Sequence, residues 1–237
     1  EDAKEMQKYA AYFSEKGLVR LSAGLVPELG EDALDALAER LLAAYYPEAL
    51  EKPRRVDAHE MAERMGLSVV YRQIEPEGEI YGEMFFQETE TPLYDAMRQP
   101  QVLAPVKRKT MVVDTTATFM GGMGTHDNTI VHECVHWALH GQAMALRRAQ
   151  QPDSQEPAIC CRVDGDAGRA GDDRLLEMEW QANTLARCIQ MPRALFRRKA
   201  EEAWARHDMK VITPNRVEEM PGVIDDLAGF FGVSREA

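Results

Sequence analysis

The chain has 237 residues, 45% of them hydrophobic and 29% charged, with a formal net charge of −12. That length and apolar content suffice for one buried core with extensions, whereas the acidic balance argues against direct nucleic-acid binding, which needs a basic footprint. No run approaches the roughly 18 apolar residues of a membrane-spanning helix, and the polar start Glu1-Asp2-Ala3-Lys4-Glu5 lacks a signal-peptide core.

In chain order, Lys4 to Lys16 is expected as a helix closed by Gly17. Asp32 stands where it would cap a helix over Ala33–Tyr46, whose apolar stripe is Leu34, Leu37, Ala38, Leu41, Leu42 and Tyr45, with Pro47 as its stop. Residues 1–50 carry no recognisable chemistry and are expected as a helical extension that packs on the rest of the chain or on a partner. Asp57 and Glu60 have capping-box spacing for a helix over Ala58–Met65, ended by Gly66. Strand composition recurs in Leu67–Arg72, Ile80–Phe86 and Thr110–Asp114, the first two separated by the turn-like Glu75-Pro76-Glu77-Gly78. The expected fold class is α+β, mainly helical, with a small three-stranded antiparallel sheet laid over the next helix. Gln87 to Arg108 and Gly141 to Asp173 are rich in proline and glycine and read as long irregular stretches, the second starting as helix to Gln150.

The stretch Val131 to Trp137 contains His132-Glu133-Cys134-Val135-His136, an HExxH pattern. On a helix, positions i and i+4 share one face, so His132 and His136 can aim two imidazole nitrogens at one metal ion. Glu133 is carried beside that point, within reach of a proton on a coordinated water, as a general base. Two histidines and a glutamate would also suit a solvated face, but Ile130, Val131, Cys134, Val135, Trp137, Ala138 and Leu139 make this helix apolar nearly all round. Thr125, Asp127 and Asn128, after Gly121-Gly122-Met123-Gly124, are its N-cap candidates, and Gly141 is placed to close it. His140 continues the ladder but stands about 12 Å along the axis from His132, too far to share an ion. It is expected at the helix end, meeting free carbonyls.

Zinc in a catalytic site takes three protein ligands and keeps one position open. A third ligand is sought in the helix Leu175–Arg187, where Glu179, Ala182, Asn183 and Ala186 share one narrow stripe. Small residues there would let this helix approach the histidines, and Asn183 could accept a hydrogen bond from the far nitrogen of a ligand imidazole. Spacing alone leaves Glu179 alongside Glu177 and Asp173.

HECVHWALH followed by EWQANTLARCIQMP resembles the ImmA/IrrE family of metallopeptidases, whose members carry HExxH, then a helix of the form ExxAN, then FAxxLLMP. The resemblance covers most of residues 50–200, expected as a zincin-like metallopeptidase domain over 51–200. It implies that the glutamate four residues before the asparagine, Glu179, is the third zinc ligand. Departures are Gln181 where the family often has a second glutamate, Leu185 for phenylalanine, and Cys188-Ile189-Gln190 for an aliphatic run. The implied activity is that of a cytoplasmic regulatory endopeptidase that cuts a partner transcriptional repressor. The alternative is a non-catalytic zinc-binding interaction module, which would have no need of Glu133.

An oxyanion donor is also required, and Tyr81, His126 and His207 are candidates. The second or last of the predicted strands is expected to pair with the extended substrate. Cys134, Cys160, Cys161 and Cys188 form no CxxC pair and read as reduced thiols, with Cys160 or Cys161 a candidate thiolate latch on the open zinc position. After Met191-Pro192, Arg193 to His207 reads as an amphipathic helix. Ile224–Ala237, within a C-terminal helical segment over 201–237, resembles the first helix, turn and second-helix cap of a helix-turn-helix. Without a recognition helix or a basic patch, no nucleic-acid or membrane partner is expected.

Overall fold

The computed structural model describes residues 20–22, 24–75, 78–94, 102–150, 158–162, 173–207 and 220–235. Among them the order is β1 (Arg20–Leu21), β2 (Pro27–Glu28), α1 (Glu31–Tyr45), α2 (Glu48–Glu51), α3 (Ala58–Arg64), β3 (Ser68–Arg72), β4 (Ile80–Phe85), β5 (Thr89–Leu93), β6 (Val102–Val106), β7 (Thr110–Asp114), α4 (Thr115–Gln150), β8 (Ala158–Arg162), α5 (Asp173–Gln190), α6 (Arg193–Arg206) and α7 (Pro221–Phe231). The α+β class holds. The helix expected over Lys4–Lys16 lies outside the described residues.

The main sheet has four strands in the order β3-β7-β4-β8, with β3 and β7 parallel and the other pairs antiparallel. The expected three-stranded antiparallel sheet is therefore corrected in size and in direction. All five residues of β7 are buried, which suits a strand with neighbours on both sides and both faces covered. β3, half exposed, takes one edge. The other edge is β8, drawn from the second stretch expected to be irregular. The first such stretch forms the hairpin β5–β6, in which Glu90 faces Pro105 and Pro92 faces Leu103. Prolines are tolerated there because a two-stranded ladder has outer edges where no donor is needed.

α4 runs unbroken for 36 residues, through Gly121–Gly124 and past Gly141, so neither the expected N-cap at Thr125 to Asn128 nor the expected stop at Gly141 exists. A glycine inside a helix costs only about 1 kcal/mol. Burial outweighs that cost: Ile130, Val131, Val135, Leu139 and Met144 are enclosed by the sheet, α3 and α5. Asp127 is spent on Arg55 and His126 rather than on a cap.

α1 begins at Glu31 with Gly30 at its N-cap and no side-chain cap. Its stripe of Leu34, Leu37, Ala38, Leu41 and Leu42 packs on α5 and belongs to the same buried cluster as Val131, Leu185 and Ile189. The part expected as an extension thus shares the core of the histidine helix. Before α3, Asp57 accepts the Glu60 amide at 2.9 Å, while the Glu60 carboxylate turns to the Tyr46 hydroxyl and Arg64 at 2.8 and 2.6 Å.

α7 packs on α6 and ends in Gly232 at φ +70, a left-handed conformation that favours glycine. Only residues 233–235 are described beyond it. The Arg55 guanidinium lies against Gly232 and also ion-pairs with Asp127 of α4. No helix among the described residues is long and apolar enough to cross a membrane.

Candidate metal centre

α4 and α5 lie against each other because the contact side of α5 offers Ala182 and Ala186, both fully buried. The close approach carries Glu179 to the histidines. Its Oε2 is 3.3 Å from His132 Nε2, its Oε1 is 3.1 Å from His136 Nε2, and the two Nε2 atoms are 2.8 Å apart. Of the three acids that spacing left open, Glu179 is the one in this buried cluster. Glu177 turns instead to accept from Gln181 Nε2 at 3.3 Å, and Asp173 stays in the first turn of α5.

The outer nitrogens are engaged as well. His132 Nδ1 donates to Asn183 Oδ1 at 3.1 Å, one turn beyond Glu179. His136 Nδ1 is 2.8 Å from His140 Nδ1, and His140 Nε2 is 3.1 Å from Gln181 Oε1. Gln181 Nε2 then donates to the Pro27 carbonyl. His140 is no ligand, but the role expected for it at a helix end is corrected: α4 continues past it, and its ring is fully buried.

Charge follows burial and neighbours. Burial pushes His136 below its ordinary range, assisted by His132, and pushes His140 further down, assisted by His136. Burial alone would raise Glu179, but His136 and His132 outweigh it and hold the carboxyl well below its ordinary value. Burial, then Glu179 and Glu83, raises Glu133 well above the carboxyl range.

The donor set fits a divalent cation. Two imidazole nitrogens and a carboxylate are a zinc set, and ligand atoms ~2.0–2.1 Å from one tetrahedral ion stand ~3.3 Å apart, close to the observed 2.8 to 3.3 Å. Both oxygens of Glu133 are buried without a hydrogen-bond partner, and so is Glu179 Oε1. Leaving such a group unsatisfied costs about 1–3 kcal/mol or more. Glu179 Oε1 belongs to the cluster that could hold a metal ion, and Glu133 follows His132 directly in the same helix.

Gly82 of β4 makes room for the acid. A Cβ there would stand 2.7 Å from Thr129 Cγ2 and 2.8 Å from Glu133 Oε1. Only glycine lets this strand lie so close over the helix. Tyr81 stands at the adjoining β-bulge between Ile80 and Gly82.

The other candidate donors are engaged elsewhere. His126 Nδ1 bonds Asp127 Oδ1 at 3.0 Å, and its Nε2 meets the Tyr71 hydroxyl at 2.8 Å, which also meets His59 Nε2 at 2.6 Å. His207 caps α6 and lies 3.1 Å from Asp226. The backbone of Cys160 and Cys161 is taken into β8, opposite Glu83 and Gly82, and the side chains on which a latch would depend lie outside the described residues. Cys134 is buried, with its thiol pushed up by burial.

Sequence reasoning noted Gln181 without giving it a role, and passed over Gly82 and the Pro27 carbonyl. A signal existed for the first: Met178, Gln181, Leu185 and Ile189 share a buried face, and one amide on an apolar stripe requires a partner. No protein-family model matches the chain, and no curated protein matches it.

Proposed function

We propose that the chain is a zinc-dependent endopeptidase of zincin type, resembling the ImmA/IrrE family, that cuts a partner transcriptional repressor in the cytoplasm. One observation carries the reading: the Glu133 carboxylate is fully buried and unpartnered beside the His132, His136 and Glu179 cluster. A site that only held a metal would have no use for that acid.

His132, His136 and Glu179 would hold Zn²⁺, which would supply a Lewis acid able to polarise a carbonyl and to make water nucleophilic near neutral pH. Glu133 takes the proton of the attacking water and returns it to the leaving amine, a role worth about 10²–10⁴ in rate. Asn183 orients the His132 ring. Of the three candidate oxyanion donors, His126 and His207 are engaged with other side chains.

The strands first expected to receive substrate, β4 and β7, are interior. The outer edge of β8 takes their place: it lies one strand spacing, ~4.8 Å, beyond β4, and an extended peptide can add to it through main-chain hydrogen bonds.

The test is Glu133→Gln, assayed for zinc content and for cleavage of a peptide library and of repressors co-expressed from the same cell. Zinc retained with cleavage lost is the expected result. Cleavage at the wild-type rate removes the base assignment, and a wild-type chain that binds zinc but cleaves nothing favours the interaction module.

A further inference from the structure

We propose that Gln181 is a positioning residue that sets the tautomer of His136 from two links away, through His140. The effect on metal affinity rests on the zinc reading of the site; the tautomer itself does not.

Donors and acceptors decide the direction of each link. Gln181 Nε2 faces the Pro27 carbonyl and Glu177 Oε1. A backbone carbonyl only accepts, so the amide end toward Pro27 is nitrogen and the end toward His140 is oxygen. Gln181 Oε1, 3.1 Å from His140 Nε2, therefore requires a hydrogen on that nitrogen. A neutral imidazole has one such hydrogen, which leaves His140 Nδ1 bare. The 2.8 Å contact between His140 Nδ1 and His136 Nδ1 is then a hydrogen bond donated by His136. His136 Nε2 is left with its lone pair, directed at the convergence point 3.1 Å from Glu179 Oε1.

Reversing the amide would reverse every link. His140 would donate from Nδ1, and His136 would carry its hydrogen on Nε2, where it would stand in the cation's place. The anchor at Pro27 prevents this, and burial enforces it: His136, His140 and Gln181 are all fully enclosed, so solvent cannot substitute for a lost partner. Asn183 does for His132 in one step what Gln181 does for His136 in two. A backbone carbonyl from the segment before α1 thereby takes part in preparing a ligand 109 residues further along the chain.

The experiment uses the whole chain with ¹⁵N-labelled histidine, and the variants Gln181→Met and Gln181→Glu. Nitrogen NMR of the metal-free protein reads the tautomer of His140, and competition against a chelator reads the zinc dissociation constant. The expected results are an Nε2–H tautomer at His140 in the wild type and in Gln181→Glu, which keeps the acceptor, and a mixed population in Gln181→Met. Zinc binding weakens about tenfold in Gln181→Met and stays within about threefold in Gln181→Glu, in line with the usual cost of losing an outer-sphere partner. An Nδ1–H tautomer at His140 in the wild type overturns the proposal. So does a Gln181→Met chain whose tautomer and zinc affinity are both unchanged. A wild-type chain that shows the expected tautomer but takes up no zinc overturns the metal reading and the affinity effect together, and is told apart from failure of the relay by the NMR result.

Discussion

His132 and His136 point their Nε2 atoms at one another across 2.8 Å while their Nδ1 atoms are committed to Asn183 and His140. Two imidazoles and the Glu179 carboxylate are thus gathered at one buried point, a set of groups that a metal ion could draw together.

Metal should accordingly stabilise the fold as well as the site. Zinc at 100 times its dissociation constant contributes about 2.7 kcal/mol, which for a chain of this size raises the melting temperature by roughly 5–11 °C. Calorimetry with and without a chelator measures it. A midpoint indifferent to zinc, with no stoichiometric uptake, removes the metal centre.

Stability against pH reports the two buried acids with opposite signs. Glu133 has a raised folded pKa, so above ~4.3 the unfolded chain loses a proton that the folded chain keeps. Stability then falls as pH rises, by up to about 1.4 kcal/mol per pH unit. Glu179 has a depressed folded pKa; its contribution is present above ~4.3 and is lost as pH falls further. In the metal-free chain, Glu133→Gln should gain on the wild type between about pH 5 and 8 and lose that gain near pH 4. Urea midpoints across that range check it, and a constant difference between the two proteins contradicts it.

Gly82→Ala places a methyl group 2.8 Å from Glu133 Oε1 and 2.7 Å from Thr129 Cγ2. Overpacking of this kind costs about 1–3 kcal/mol, and a displaced base should lower the cleavage rate at least about tenfold. Zinc content should not change, because no ligand is touched. An active variant with normal stability shows that the strand can move aside at little cost.

Val112 is paired with Val70 on one side and Glu83 on the other and is fully buried. Proline there removes an amide donor from an interior strand, a position where proline is essentially not found. Circular dichroism should show Val112→Pro unfolded or strongly destabilised. A folded variant that loses only substrate binding would return this strand to the role first expected of it.

Helical spacing is enough to bring His132 and His136 together and to set Asn183 one turn beyond Glu179, because each pair lies on one helix. Choosing Glu179 over Glu177 needs the approach of two helices, which local periodicity does not contain. β8 is five residues between stretches rich in glycine and proline, too short to stand out from a loop, and the place of β7 between β3 and β4 depends on pairings between distant segments. The glycines of α4 mislead for a different reason: their local cost is real but smaller than the burial that keeps the helix continuous. Gln181 stands out only as a departure from a pattern, with no role attached, because an amide has no reactivity of its own and acts through the ring beside it.

The contact of Arg55 with both Gly232 and Asp127 ties the last turn of the chain's final described helix to the front half of the rod that bears the histidines. Loosening that tail would release the guanidinium and leave Asp127, nearly enclosed, facing His126 alone. Residues with no chemistry of their own, more than 90 positions beyond His132 and His136, therefore brace the helix that carries them, and the two segments should open and close as one cooperative unit.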